Sequence, residues 1–258
     1  MPKPSKTIAI VTRRQDFQES SRLVQLVTRD YGRRTFLAKG AHRTKSPFLG
    51  AIDLLHVCEA RVGVREGRGI QIVYGLWVIQ GNRPFRRDGL RLALAAQTTE
   101  SMRAALPEGR PDPELFDLFR GALALFRSAP RSNLLTIDVG IRLRQLQLMG
   151  WLPTLDVCPQ TNRPFPRKGR VGFDPALGGF VAASETDRVV SADLPQLATQ
   201  LLSLDGRTLG ASQLDAKPLL ELRMLTLELM GWHLGFQSRV TVPWETLALA
   251  GGARTITG

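Results

Sequence analysis

The chain has 258 residues, a formal net charge of +12 and 43% hydrophobic residues. That composition excludes global disorder, and without an apolar run of about 18 residues no transmembrane helix is expected. Two cysteines, Cys58 and Cys158, cannot build a disulfide framework, and Arg13-Arg14 cuts the first apolar stretch short of a secretory signal, so a cytoplasmic location is expected.

The positive charge is unevenly placed. Residues 1–87 carry 17 lysines and arginines against 6 acids, whereas residues 88–258 carry 18 against 17. A surface of that kind suits a polyanion, because each neutralised phosphate releases condensed counterions. The competing reading is a solvated basic surface kept for solubility, which a diffuse excess would fit better.

In chain order, Thr7–Thr12, Leu23–Thr28, Thr35–Ala38, Ala51–Glu59 and Ile70–Ile79 read as strands, broken at Asp16, Gly32, Ser46-Pro47 and Gly63 to Gly69. Five short strands without helical period predict a small antiparallel barrel. After Arg83-Pro84-Phe85-Arg86-Arg87 the period changes. Leu90, Leu94 and Met102 predict a helix ending before Pro107-Glu108-Gly109. Asp112-Pro113-Glu114 opens a second, through an N-cap with proline at the first helical position. A third runs from about Ser132 to Met149 and stops at Gly150. Proline and glycine dominate from Pro153 to Gly179; helices about Leu194–Ser203 and Leu214–Gly231 follow, and the tail past Pro243 is expected to be loosely ordered.

The leading binding candidate is the loop Ala38 to Pro47. Lys39, Arg43 and Lys45 stand among small residues that let the backbone approach phosphates. Arg13, Arg14, Arg33 and Arg34 lie at neighbouring strand ends. Single-strand binders add aromatic platforms. Phe17, Tyr31, Phe36, Tyr74 and Trp77 read mainly as core, and Phe48, beside the loop, is open to either role. A second basic run, Arg163 to Arg170 with Arg167, Lys168 and Arg170, either extends the track or is a solvated loop tip.

Catalytic and metal chemistry find little support. None of the motifs GxSxG, GxxxxGK[ST], HExxH or GxGxxG occurs, and His42, His56 and His233 have no evident nucleophile partner. Acids in the first third are too scattered for a metal-dependent nuclease. Cys158-Pro159-Gln160-Thr161 looks like half a zinc knuckle without its second thiolate, and a structural site wants four ligands. No enzyme activity, no metal and no cofactor are expected.

The motifs taken together resemble a known family. Glu19-Ser20-Ser21-Arg22-Leu23, Thr28-Arg29-Asp30-Tyr31-Gly32 and Ala38-Lys39-Gly40-Ala41 with Arg43, Lys45 and Ser46 are similar to the start of the bacterial recombination mediators of the RecO family. So are Leu106-Pro107-Glu108-Gly109 before Pro113-Glu114-Leu115-Phe116, Leu143 to Gly150 leading to Leu155-Asp156 and Cys158, Phe173-Asp174-Pro175 with Gly178-Gly179, and His233-Leu234-Gly235 with Ser238-Arg239. These span nearly the whole chain in order.

The resemblance implies an α+β chain. An OB-fold β-barrel (1–81) precedes a helical domain (82–242) with a degenerate zinc-knuckle-like insert (151–185) and a tail (243–258). It implies binding of single- and double-stranded DNA, annealing of complementary strands, and loading of RecA onto SSB-coated DNA together with RecR, in the cytoplasm at the nucleoid and away from membranes. Members contact the acidic, apolar SSB tail; Arg120, Arg127, Arg142 and Arg144 of the helical domain are the candidates for that contact. Thr161 and Ala182-Ala183 stand where further cysteines are common in the family, so packing by Phe165, Phe173 and Phe180 is expected to hold the knuckle in place of zinc. An RNA-binding OB protein, a non-catalytic scaffold and a nuclease are the competing readings.

Overall fold

The computed structural model describes residues 3–212, 214–235 and 237–242. It divides into two compact units, Met1–Leu123 and Ala124–Gly258. The first unit opens with β1 (Ser5–Phe17), β2 (Ser21–Thr28), β3 (Gly32–Ala38), β4 (Val57–Gly63) and β5 (Ile70–Gln80). They close into a barrel in the order β1-β2-β3-β5-β4, antiparallel except for the β3–β5 pair, which is the OB arrangement. Period-two alternation turns Val11, Val24, Leu26, Phe36, Ala60, Val62 and Val73 into the barrel core.

Two sequence expectations shift here. Asp16 does not end β1, because Arg13–Phe17 pairs with β2 up to Ser21. The expected strand at Ala51 starts only at Val57, and residues 51–56 form turns whose Ala51 and Ile52 are buried in the barrel core. Their apolar character serves burial without strand pairing.

The barrel continues into α1 (Arg83–Arg87), a short helix the sequence reading passed over, and α2 (Gly89–Ala105). Asp88 caps α2 by accepting from the N–H groups of Leu90 and Arg91. Asp112 accepts from the Leu115 N–H at 2.9 Å and so starts α3 (Pro113–Ser128), within which the first unit ends. The α2–α3 connection is fastened to β3, where the Gly109 N–H donates to the Arg33 carbonyl at 3.0 Å. Gly32 permits this approach. Its φ is +68°, and a Cβ there would lie 2.1 Å from the Arg110 carbonyl oxygen.

In the second unit, α4 (Leu134–Leu148) follows one 3-10 turn at Arg131–Asn133. It packs against α5 (Asp193–Ser203), α6 (Gly206–Ala211) and α7 (Ala216–Leu234). A small sheet, β6 (Arg170–Asp174), β7 (Gly179–Val181) and β8 (Val189–Ser191), has the order β7-β6-β8. Residue periodicity gave neither α6 nor β8, because each is too short to show a period. At the centre of the helices Asp138 holds two arginines: Arg142 at 3.0 Å and Arg223 at 2.5 Å, with all three side chains at most 3% exposed. The expected loosely ordered tail, 243–258, lies outside the described residues.

Candidate nucleic-acid interface

Arg13 on β1 pairs in register with Gln25 on β2, and Gln25 with Thr35 on β3. The Gln25 Oε1 accepts from the Arg103 Nε of α2 at 2.6 Å. Arg33, two residues before Thr35, donates from Nε to the Leu106 carbonyl at 3.0 Å. Arg103 is thus held by a neutral side chain while the charges of Arg33 and Arg13 act on it. Burial first, then repulsion from Arg33 and Arg13, lowers the affinity of Arg103 for its proton, and Glu100 offsets only part of this. An anion placed among them relieves that repulsion. The sequence alone gives no signal for Arg103, which stands in the last turn of α2 where a basic residue is ordinary.

The other two strand-end arginines are engaged within the first unit. Arg14 donates to the Ile52 carbonyl and pairs with Asp53, each at 3.1 Å. Arg34 donates to the carbonyls of Tyr31 and Gly109, both at 3.0 Å. Their structural work is to fasten the β3–β4 connection and the α2–α3 connection to the barrel.

That β3–β4 connection carries the basic loop. Lys39, Arg43 and Lys45 are exposed on successive turns. The turns are closed by N–H donation from Arg43 to Gly40 and from Ser46 to Arg43. Its root is tied to the β1–β2 hairpin, where the His42 N–H donates to the Ser20 carbonyl at 3.1 Å and the His42 Nε2 lies 3.1 Å from Asp16. A hydrogen bond from Arg22, with smaller help from His42, holds the Asp16 carboxyl below its usual range against slight desolvation. The loop therefore presents its cations from a fixed base.

The aromatics sort differently from expectation. Phe48, open to either role in sequence, is 4% exposed and belongs to the core with Phe36. Trp77, read with the core, is 52% exposed. The reason is local: Trp77 follows Gly75 by two on β5, and its ring lies across the space a side chain at Gly75 would fill.

In the second unit Arg167, Lys168 and Arg170 are all exposed, and Arg170 donates to the Val189 carbonyl at 2.6 Å. The arginines expected to meet an acidic peptide divide. Arg120 on α3 is exposed, and Arg127 is half-buried, with its guanidinium pushed down to about 10 by desolvation. Arg142 is a core residue, 2% exposed and held by Asp138, so it has no surface to offer. Arg144 is spent on carbonyls, donating to Gly140 at 3.0 Å, to Leu201 at 3.1 Å and to Leu204. Both were read as surface positions because a polar residue on a mixed helix carries no mark of burial.

The knuckle region is built around one sulfur. Val157 and Pro164 form an antiparallel bridge, the Cys158 N–H donates to the Arg163 carbonyl at 2.9 Å, and the Ala182 N–H donates to Cys158 Sγ at 3.2 Å. Beside it Phe173 and Phe180 meet edge to face at 5.4 Å, with the Arg188 guanidinium 5.2 Å from the centre of the Phe173 ring. Among the described residues no group of three or more His, Cys, Asp or Glu is placed to hold a metal ion. A lone sulfur that accepts backbone N–H groups does not fit tetrahedral zinc.

Comparison with known proteins agrees with this fold. Residues 1–81 match the family description "Recombination protein O N terminal" and residues 86–240 "Recombination protein O C terminal". A protein of Rhodopirellula baltica named "DNA repair protein RecO" is 32% identical over 176 residues, 67% of this chain and 64% of that protein. A protein of the same name from Anaeromyxobacter dehalogenans is 31% identical over 69% of each chain. Another from Symbiobacterium thermophilum is 29% identical over 76% of this chain and 78% of its own. The matched stretch thus spans a little under two thirds of the first of these relatives. The barrel, the helical unit and the two consecutive family matches place this chain in the recombination protein O family.

Proposed function

We propose that this chain is a DNA-binding protein of recombinational repair that anneals complementary single strands through its barrel, residues 1–81, and the segment fastened to it. The observation that carries this reading is Arg103, which Gln25 holds within reach of the like charges of Arg33 and Arg13. Like charges held together within a folded unit await an anion, and a polynucleotide supplies a row of them. The exposed Lys39, Arg43 and Lys45 add phosphate contacts from a loop of fixed base. Annealing needs no bond to be made or broken by the protein. Two strands repel through their phosphates, and a cationic surface that holds both lowers the cost of their approach.

The finer roles follow the family: loading of RecA onto SSB-coated DNA together with RecR, with the acidic SSB tail contacting Arg120 and Arg127. Arg142 and Arg144 are not part of that proposal, for the burial and hydrogen bonds given above. Arg167, Lys168 and Arg170 are proposed as a further DNA contact on the second unit.

The test mixes complementary single-stranded DNAs, bare or coated with SSB, with the protein in the absence of nucleotide and divalent metal, and follows duplex formation. Acceleration is expected for both. No acceleration of either removes the annealing reading, and cleavage on adding magnesium replaces it with a nuclease.

A further inference from the structure

The outer wall formed by β1, β4 and β5 bears its own set of residues. Register places Lys6, Arg61 and Gly75 in one row across the three strands, and Ile8, Glu59 and Trp77 in the next. Opposed side chains in such rows stand about 5 Å apart. The Trp77 ring leaves its own row and lies over Gly75: atoms Cη2, Cζ2 and Cζ3 come within 2.8–3.3 Å of where a Gly75 Cβ would be. The indole is therefore seated on backbone beside Arg61, and it is still 52% exposed. Lys6 is 72% exposed and reaches Glu59 at 2.9 Å, which occupies the one acid in these two rows and leaves Arg61 exposed beside the ring. Arg65 and Arg68, both exposed, continue the positive charge into the β4–β5 turn.

We propose that this wall is a second site for single-stranded DNA, in which a base stacks on the Trp77 indole while Arg61 meets the adjacent phosphate. The chemistry selects the ligand. A flat π-surface held by backbone offers stacking to any base without rotamer cost, and flanking cations favour a polyanion over an apolar protein surface. The site lies on a different arc of the barrel from the Arg13–Arg33–Arg103 cluster, which sits where β1, β2 and β3 run side by side. Two arcs hold two strands, which is what annealing requires. The inference rests on the DNA-binding reading and adds a base-contacting component to it.

The experiment compares binding of the full chain to a fluorescent oligothymidylate and to an abasic strand of equal length, which keeps the phosphates and lacks the bases. The intact protein is expected to prefer the strand with bases. Trp77→Ala lowers affinity for oligothymidylate by about tenfold, the scale of one base–aromatic stack, and leaves the abasic strand unchanged. Trp77→Phe keeps part of the preference. Gly75→Ala, which pushes the ring off its seat without removing it, gives an intermediate loss, and a circular-dichroism melt checks that each variant is folded. Arg61→Gln weakens both strands and lowers the salt slope by roughly 0.7. If Trp77→Ala leaves the ratio of the two affinities unchanged, or if it turns a dimer into a monomer with DNA binding intact, the stacking site is wrong while the DNA-binding reading stands. If the intact protein binds neither strand, both fall together.

Discussion

Arg103 donates its Nε to the Gln25 side chain at 2.6 Å, and this bond draws a guanidinium of the α2 helix to the outer wall of the barrel. There it joins Arg13 and Arg33, whose charges lower its proton affinity beyond what burial alone does. A group held against repulsion gains most when an anion arrives. Arg103→Gln is therefore expected to weaken single-stranded DNA binding several-fold and to reduce the slope of log affinity against log salt by roughly 0.7, the share of one phosphate. Anisotropy titrations across a salt series read this directly. An unchanged slope would remove the cluster from the interface.

The basic loop makes a larger prediction of the same kind. Lys39, Arg43 and Lys45 are exposed, and the turns that carry them are closed by backbone bonds that alanine preserves. The triple alanine variant should keep its melting temperature while its salt slope falls by about two, at roughly 0.7 per phosphate of a single strand. Equal slopes for the variant and the natural chain would show that the loop is solvated and idle. The same measurement on Arg167→Ala with Lys168→Ala decides whether the second unit adds to the track.

How much of this was legible in the sequence depends on what each residue reports. The barrel was legible because Val24, Leu26, Phe36, Val62 and Val73 recur at strand period and face one core. Charge concentration pointed to the first third of the chain, and the helix start at Asp112 had a capping side chain to mark it. Orientation was not legible. Arg142 and Arg120 are the same residue type, each on a helix, yet one is buried against Asp138 and the other exposed. Trp77, read with the core, is exposed, and Phe48, open to either role, is buried, because exposure was decided by Gly75 beneath one ring and by the barrel core around the other. Arg103 entered the site through a bond to a residue 78 positions earlier in the chain. No local pattern encodes such a contact.

Gly32 gives a stability prediction within the first unit. A methyl group there would meet the Arg110 carbonyl oxygen at 2.1 Å, a backbone atom that cannot swing away, and the φ of +68° adds its own strain. Gly32→Ala should cost more than the roughly 1 kcal/mol typical of alanine at a left-handed position. The segment that carries Leu106 and Gly109 should shift with it, releasing Arg33 and Arg34. Hydrogen exchange would show lost protection at the Gly109 N–H. Retained protection there would contradict the fastening role given to this contact.

Asp138 sets the pH response of the second unit. Burial opposes its ionisation, but Arg142 and Arg223 outweigh this and hold its carboxyl below the ordinary value of 3.8. A depressed folded-state value means that the stabilisation is complete above the unfolded value and is lost as pH falls through the folded one. Urea denaturation of the natural chain should therefore show constant stability from this group near neutrality and a decline below about pH 4. Asp138→Asn leaves two buried arginines without their anion, an expected loss of about 3–5 kcal/mol at pH 7, and removes this group's part of the acid decline. Equal stability of the two proteins at pH 7 would mean that Arg142 and Arg223 are neutralised by other means.

The two cysteines should separate in reactivity, although both are buried. Desolvation pushes the Cys58 thiol up to about 12, so it stays protonated at every ordinary pH. At Cys158 burial also opposes ionisation, but hydrogen bonds from Thr161, Ala182 and Gln160 outweigh it and hold the thiol below its usual range. Since the thiolate is the reacting form, maleimide near neutral pH should label Cys158 well before Cys58, as peptide mass spectrometry would show. The same hydrogen bonds fix the knuckle around sulfur where zinc would otherwise stand, so a chelator should leave the melting temperature unchanged. Cys158→Ala removes the acceptor of the Ala182 N–H and should lower stability by about 1–3 kcal/mol, the cost of an unpaired buried donor. A chelator-sensitive melt with stoichiometric zinc would overturn the metal-free knuckle, and prior labelling of Cys58 would overturn the ordering of the two thiols.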